Sequence, residues 1–129
     1  MFNNYNGILS KDYKGEIISK DTLRLEDLLK NFVDFLDNDE VLKEVFNKDT
    51  HLHSEILEEI NYVKMKIRLM ELTDELDYMD EYEEYEEDAA NLLDELIEIL
   101  NIIAPEGSYF GTMEGNGSTF GFFNQEESW

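Results

Sequence analysis

Cysteine is absent from the chain, so neither a disulfide nor a thiolate metal site can form. No apolar run approaches the roughly 18 residues that a membrane-spanning helix requires. The first fifteen residues also lack the basic region and long apolar core of a secretion signal. We therefore expect a cytoplasmic protein that needs no metal and no other cofactor.

Basic residues are scarce and unevenly placed. The chain has 10 Lys and Arg against 32 Asp and Glu, a formal net charge of −22. All ten basic residues lie at or before Arg68, and the 61 residues from Leu69 to Trp129 contain 18 acids. Binding to nucleic acid or to anionic membranes depends mainly on Lys and Arg. We expect the protein to bind neither of them directly.

Apolar residues are nevertheless abundant enough for a folded core. Hydrophobic residues make up 42% of the 129 positions and aromatic residues 12%, more than a disordered polyelectrolyte contains. The length is typical of one domain. We expect a single α+β domain, mainly helical with three to four helices and a C-terminal β-hairpin. Its parts are an N-terminal segment (1–20), a helical part (21–104), the hairpin (105–123) and a tail (124–129).

The first two helices are indicated by apolar residues at helical spacing. The apolar residues of the first recur between Leu25 and Leu36, and Asp21 or Thr22 is a candidate cap because both side chains accept hydrogen bonds from free backbone N–H groups. The Asn-Asp pair at 38–39 interrupts the pattern. A short second helix follows and ends near Asn47.

Two longer helices are expected in the second half of the helical part. One begins between 50 and 54 and carries an apolar stripe that shifts phase and continues to Met79. The acid-rich run 80–88 is compatible with a helix, but repulsion between like charges four residues apart makes a kink or loop equally consistent with the sequence. The last helix is expected at 89–103 and ends before Pro105.

The C-terminal pattern is typical of a hairpin. Aromatic residues at 109–110 and 120–123 flank Gly115-Asn116-Gly117, and an Asn-Gly step favours the backbone angles of a tight turn. Residues 15–18 form a further candidate strand.

The densest charge lies between Glu71 and Glu98, where 14 of 28 residues are acidic. On a helix, carboxylates three or four residues apart are about 5–6 Å from one another, close to the separation of phosphates along a DNA strand. Such a row can occupy an Arg- and Lys-lined channel that normally holds nucleic acid. Tyrosines at i, i+4 and i+7 share one helix face and can anchor the interface. The predicted partner-binding residues, called the acidic block below, are Glu71, Asp74, Glu75, Asp77, Tyr78, Asp80, Glu81, Tyr82, Glu83, Glu84, Tyr85, Glu86, Glu87 and Asp88.

The same residues also fit interpretations in which they have no binding or catalytic role. The acidic block can be a solvated face without a partner, and its tyrosines can cover the edge of the core. His51 and His53 lie near a helix start, where His51 can face Glu55 one turn away as a ligand pair or a general base. Exposed polar residues are the alternative. No EF-hand spacing, phosphate-binding loop or nucleophile motif is present, so we do not expect an enzyme.

Two segments carry a family resemblance. Residues 22–28 match the pattern TLRxEDL, and residues 104–123 match APEGxYFGxxxGDGxxFGFW except for Asn116 in place of Asp and Phe123 in place of Trp. Both patterns resemble a family of small uncharacterised proteins from gut Firmicutes, their phages and their conjugative elements. The resemblance implies a mobile-element setting and carries no activity or functional residues with it.

In charge, size and aromatic content the chain also resembles phage DNA mimics, the anti-CRISPR and anti-restriction inhibitors. The leading hypothesis is therefore an inhibitor that binds a basic nucleic-acid-binding protein, a CRISPR effector or a restriction enzyme, in the host cytoplasm. The alternative is a non-enzymatic interaction module of a mobile element, which binds its partner through the glycine-aromatic hairpin. Exposure of the hairpin aromatics, Tyr109, Phe110, Phe120, Phe122 and Phe123, would favour that alternative.

Overall fold

The computed structural model describes residues 7–76, 79–113 and 115–124, with side-chain positions for all of them except 73–76, 79–86 and 124. Four helices and a three-stranded antiparallel sheet lie within these ranges, which confirms the expected mainly helical α+β fold with a C-terminal hairpin. In chain order the elements are β1 (Ile17–Ser19), α1 (Leu25–Leu36), α2 (Asp39–Lys48), α3 (Thr50–Leu76), α4 (Met79–Ile103), β2 (Ser108–Met113) and β3 (Asn116–Asn124).

The start of α1 differs from the prediction. The residue preceding the helix is Arg24, and neither Asp21 nor Thr22 caps it. The Thr22 hydroxyl instead donates to Asp27 Oδ2 over 2.8 Å and accepts from the Arg24 N–H. Thr22 therefore lies too early in the chain to reach the N–H groups of the first helical turn, and it stabilises the approach to the helix through Asp27.

Side-chain caps separate the next helices. The Asn38 side chain accepts hydrogen bonds from the N–H groups of Glu40 and Val41, which begins α2 where the sequence pattern breaks. Asp49 Oδ1 accepts from the N–H groups of His51 and Leu52 at 3.1 Å each, at the start of α3. Because each cap lies directly between two helices, the chain passes from one helix to the next within one or two residues.

The run 80–88 is helical throughout, because α4 begins at Met79. The predicted start near residue 89 is thus ten residues too late. Acids in the first turn interact favourably with the positive end of the helix dipole, which offsets part of the repulsion between them. The second half of α4 is held by buried Leu92, Leu96 and Leu100, so the helix needs no further apolar residues at its start.

Strand β3 is the centre of the sheet and pairs with β1 on one side and β2 on the other. The hairpin is confirmed, but its turn precedes the predicted Asn-Gly step. Asn116 and Gly117 belong to β3, and the positive φ of 83° is at Gly115. The Asn116 side chain accepts from the Ser118 N–H and hydroxyl, which holds Asn116 in the strand.

Gly121 permits the close approach of β1 to β3. A Cβ at this position would lie 2.3 Å from the backbone oxygen of Glu16, well inside van der Waals contact. That oxygen accepts a 3.1 Å hydrogen bond from the Phe122 N–H, and the Gly15 N–H bonds to the Phe122 carbonyl at 2.7 Å. A side chain at Gly121 would therefore separate the N-terminal segment from the sheet.

The core lies where α1 packs between the sheet and the α3/α4 pair. Phe32 of α1 is fully buried and makes edge-on ring contacts with Phe110 and Phe120, at centroid distances of 5.1 and 5.4 Å. Phe35 contacts the buried Phe122 with tilted rings at a centroid distance of 5.6 Å. The inner face of the hairpin is thus part of the main core.

Candidate functional site

Helices α3 and α4 form an antiparallel hairpin that carries the acidic block. Lys66 Nζ of α3 lies 3.0 Å from Asp88 Oδ2 of α4, and two turns earlier in α3 Glu59 meets Glu95. These pairs show that the two helices run antiparallel, with residue 66 beside 88 and residue 59 beside 95. The sequence does not reveal this register, because both helices have apolar residues on more than one face.

The structure describes only part of the acidic block. Glu87 and Asp88 are exposed on α4, and Glu71 is half-buried on α3. Asp77 and Tyr78 lie outside the described residues. Nothing is described of the side chains at the remaining predicted positions, Asp74, Glu75, Asp80, Glu81, Tyr82, Glu83, Glu84, Tyr85 and Glu86, although their backbones are helical. The tyrosine anchors stay a prediction.

Glu71 has a structural partner. Its carboxylate lies 2.7 Å from Lys30 Nζ of α1, and Lys30 also pairs with Glu26 at 3.3 Å. The hydrogen bond and the positive charge of Lys30 lower the pKa of Glu71. A second pair, Lys64 with Asp37 at 2.6 Å, joins α3 to the end of α1. Glu71 is therefore part of the ion pairs between α1 and α3, and is less accessible to a partner than Glu87.

The exposed acids continue along α4 beyond the predicted block. Asp94, Glu95 and Glu98 are all exposed, and no Lys or Arg follows Arg68. Among the described side chains, the only ion pair made by an acid of α4 is that between Asp88 and Lys66. The negative charge of α4 is thus largely uncompensated within the described part of the protein.

A groove of about 560 Å³, which the sequence patterns do not predict, lies between α3 and α4. Its floor is apolar and its rim is acidic. The acids of α3 that line it are spaced three or four residues apart, a pattern that places them on one helix face. Their contact with α4 depends on the register of the two helices, which the pattern does not show. The α3/α4 groove is lined by Leu52, Glu55, Ile56, Glu58, Glu59, Tyr62, Glu95, Glu98, Ile99 and Ile102.

Glu59 and Glu95 form a carboxyl pair within this groove. Burial raises the pKa of Glu59 to about 7, and a hydrogen bond to Glu95 and the negative charge of Glu95 act in the same direction. Because ionised carboxylates only accept hydrogen bonds, Glu59 Oε2, which is shielded from solvent, has no hydrogen-bond partner among the described residues until one carboxyl is protonated. With its pKa raised to about 7, the Glu59 carboxyl is protonated below neutral pH and can then donate a hydrogen bond to Glu95.

This pair predicts a pH-dependent difference between the protein and its Glu59→Gln variant. The pKa of Glu59 is raised from 4.5 to about 7 on folding. Between these values the folded state binds more protons, so stability falls as pH rises toward 7. Because the group is partly exposed, we expect a loss of only about 1–2 kcal/mol in the free energy of unfolding.

The variant cannot ionise at this position, so it should be about 1–2 kcal/mol more stable than the protein at about pH 8 and similar to it at about pH 4.5. Urea denaturation of both proteins across this range measures the difference. Glu58→Gln, at the exposed neighbouring position, is the matched control and should show no such trend. A constant difference at every pH would contradict the assignment.

The histidines do not join a pocket with several carboxylates. His51 Nε2 lies 3.3 Å from Glu55 Oε2, the pairing expected from the sequence, and both side chains are exposed. His53 makes an edge-on contact with Phe46 at 5.1 Å. The groove described above contains Glu55 but neither histidine. Among the described residues, no group of three histidines or carboxylates converges closely enough to hold a metal ion.

The hairpin aromatics divide between the two faces of the sheet. Phe110, Phe120 and Phe122 are buried against α1, and only Tyr109 and Phe123 lie on the outer face, where their rings are 6.1 Å apart. Burial of three of these five residues counts against the hypothesis that the hairpin is the binding surface.

No helix in the described part of the chain is long and apolar enough to cross a membrane. Comparison with known proteins adds no assignment: no protein-family model, no curated protein and no solved structure matches the chain. The function must therefore be argued from the site.

Proposed function

We propose that the protein is an inhibitor that binds a basic nucleic-acid-binding protein through the acidic α3/α4 hairpin and prevents nucleic acid from entering. A CRISPR effector or a restriction enzyme in the host cytoplasm is the target class, and a phage or another mobile element is the expected source. The proposal of a mobile-element origin rests on the resemblance of residues 22–28 and 104–123 to small proteins of phages and conjugative elements. The mode of binding rests on the charge of α4.

The observation that carries the proposal is the uncompensated charge along one long helix. At 1.5 Å per residue, the 25 residues of α4 extend about 37 Å, roughly the length of eleven base-pair steps of 3.4 Å. All its described acids are exposed, and of them only Asp88 has a cationic partner among the described residues. A helix of this kind presents carboxylates where a nucleic acid presents phosphates.

Few basic side chains neutralise the negative charge of α4. Lys30 and Lys64 are engaged at the α1/α3 contact, and Lys66 lies against Asp88. The remaining positive charge lies on residues 11–48 and on one exposed residue of the α3/α4 hairpin, Arg68 of α3. A channel lined with Arg and Lys would therefore attract α4 electrostatically, and association would weaken steeply as salt screens the interaction.

A plating assay tests this function. The protein is expressed in a panel of strains that each carry one CRISPR or restriction system, and each strain is challenged with a phage that its system restricts. An inhibitor present at about 100 times its Kd leaves about one per cent of the target free. We therefore expect plating efficiency to rise by about 100-fold in the strain with the target system.

A strain without any defence system is the control and should show no change in plating efficiency. A variant in which Asp80, Glu81, Glu84 and Glu87 of α4 are reversed to lysine should lose the effect. Unchanged plating across a panel that spans the main CRISPR and restriction types would contradict the proposed function.

A further inference from the structure

An apolar stripe is exposed on α3 beside the groove. Tyr62, Met65 and Leu72 are 46%, 49% and 37% exposed, and Leu69 between them is half-buried. These four residues, called the apolar ridge below, recur every three or four positions and so lie along one helix face. They are separate from the core face of α3, which buries Ile56, Ile60, Val63, Ile67 and Met70.

Such a ridge is unexpected on a protein with a net charge of −22, since solubility favours polar residues at exposed helix positions. The ridge and the α3/α4 groove share Tyr62 and form one continuous surface. One side of this surface is apolar. The other is lined by Glu59 of α3 and by Glu95 and Glu98 of α4, so its complement is a segment with both apolar and cationic side chains.

Lys66 already makes the kind of contact that this surface would offer to such a segment. Its Nζ lies 5.7 Å from the centre of the Tyr62 ring and 3.0 Å from Asp88 Oδ2. The lysine side chain is only 13% exposed, so its aliphatic part packs against the two helices while its charge reaches a carboxylate. A cation between a ridge aromatic and an α4 acid is therefore compatible with the local geometry.

We propose that the apolar ridge and the α3/α4 groove together bind a basic amphipathic helix of the target protein. Apolar side chains of that helix would pack on Met65, Leu69 and Leu72, and its Arg or Lys side chains would enter the groove beside the pair of Glu59 and Glu95. The inference rests on the proposed function, because it specifies which part of a basic target the hairpin contacts. Glu55 and Leu72 are about 26 Å apart along α3, so about five turns of partner helix can be accommodated.

Binding of a cation in the groove is expected to release a proton, which attraction by the net charge alone would not do. The charged and titratable groups facing Glu59 are Glu55, Glu58 and Tyr62 on α3 and Glu95 and Glu98 on α4. The nearby lysine, Lys66, is already 3.0 Å from Asp88. A partner cation would supply the missing positive charge, lower the pKa of Glu59 and release the proton of the carboxyl pair.

A designed peptide pair tests the docking mode. The first peptide is a helix of about 18 residues, five turns, with Leu at i, i+3, i+4 and i+7 spacing and Arg on the other face. The second has the same composition in an order without a stripe. At about 0.15 M salt we expect the patterned peptide to bind at least about 10-fold more tightly, one or two buried apolar side chains being sufficient for that ratio.

Fluorescence polarisation should show that the Met65→Ser variant binds the patterned peptide with about 10-fold lower affinity, because the ridge loses an apolar contact. Met113→Ser, a change at a methionine of similar exposure (38%) on β2, is the matched control and should change nothing. Calorimetry at about pH 7 in buffers of different ionisation enthalpy should detect proton release on binding, which Glu59→Gln should abolish.

Equal affinity for the two peptides would overturn the docking mode. So would a Met65→Ser variant whose affinity for the patterned peptide falls no more than that of Met113→Ser. A dimer that sedimentation detects in the free protein and that Met65→Ser dissociates would also overturn it, because a second copy would then cover the ridge. These results leave the proposed function intact if Met65→Ser still inhibits the target and the α4 charge reversal does not. If charge reversal leaves inhibition unchanged, the proposed function itself fails.

Discussion

Reversing four acids of the acidic block to lysine is expected to weaken binding to the target by at least about 100-fold. An exposed pair is worth about 0.2–1 kcal/mol, and reversal replaces that attraction with a repulsion of similar size. Four changes on one helix therefore sum to about 3 kcal/mol, which is roughly 100-fold in Kd. The four positions are Asp80, Glu81, Glu84 and Glu87, all within α4.

The control reverses four exposed acids outside α3 and α4, which changes the net charge by the same amount. None of the four has an ion-pair partner among the described side chains, so the changes break no ion pair that the structure describes. The control positions are Asp12, Glu16, Asp34 and Glu40. Surface plasmon resonance at two salt concentrations compares the two sets. Equal losses would show that only net charge matters and that α4 is not the binding element.

Phe32→Ala should have the largest effect on stability. Phe32 is fully buried and contacts Phe110 and Phe120 of the hairpin. Removing a buried phenylalanine ring costs about 3–5 kcal/mol, a large part of the stability of a typical domain. We expect a much lower urea midpoint by circular dichroism, in both the helical and the aromatic signals, because one core joins the hairpin to the helices.

Phe46→Ala is the matched control for this change. Phe46 of α2 is 46% exposed and its described ring contact is with His53, so its removal should cost less than about 1 kcal/mol. If Phe32→Ala were no more destabilising than Phe46→Ala, the hairpin would not pack on α1. The aromatic residues of the hairpin would then again be candidates for a binding surface.

Local patterns predicted most of the secondary structure. The apolar period of 25–36 matches α1, and the break at Asn38 is a helix cap. The errors occur where two local effects compete. Repulsion among 80–88 favours a late start of α4, whereas the helix dipole stabilises acids at the start that is observed. The Asn-Gly step favours a turn at Asn116, whereas Gly115 has the positive φ.

The pairing of β1 with β3 and the α3/α4 groove lay beyond these patterns. β1 has three residues, and its place in the sheet depends on Gly121, far away in sequence. The environment of Glu59 depends on which turn of α4 it meets. Sequence spacing shows that acids share a face of one helix, but it does not show which acids of two helices come together.

The motifs that carry the family resemblance have structural roles here. Thr22 bonds to Asp27 within residues 22–28. In the second motif, the Ser108 hydroxyl donates to the Pro105 carbonyl at 2.6 Å, and Gly107 takes a φ of 78° in the turn between α4 and β2. Similar motifs in other proteins would accordingly indicate the same scaffold, whereas the acidic surface of α4 is what we connect with function.

Competition between this protein and DNA for the purified target tests the central claim most directly. A fluorescent duplex is bound to the target identified by the plating assay, and the protein is then added at about 0.15 M salt. If α4 occupies the nucleic-acid channel, the anisotropy should fall to that of free DNA at one equivalent of protein per target. No complex of this protein, the target and the DNA together should form. A stable ternary complex on a native gel, with the DNA still bound, would contradict the account.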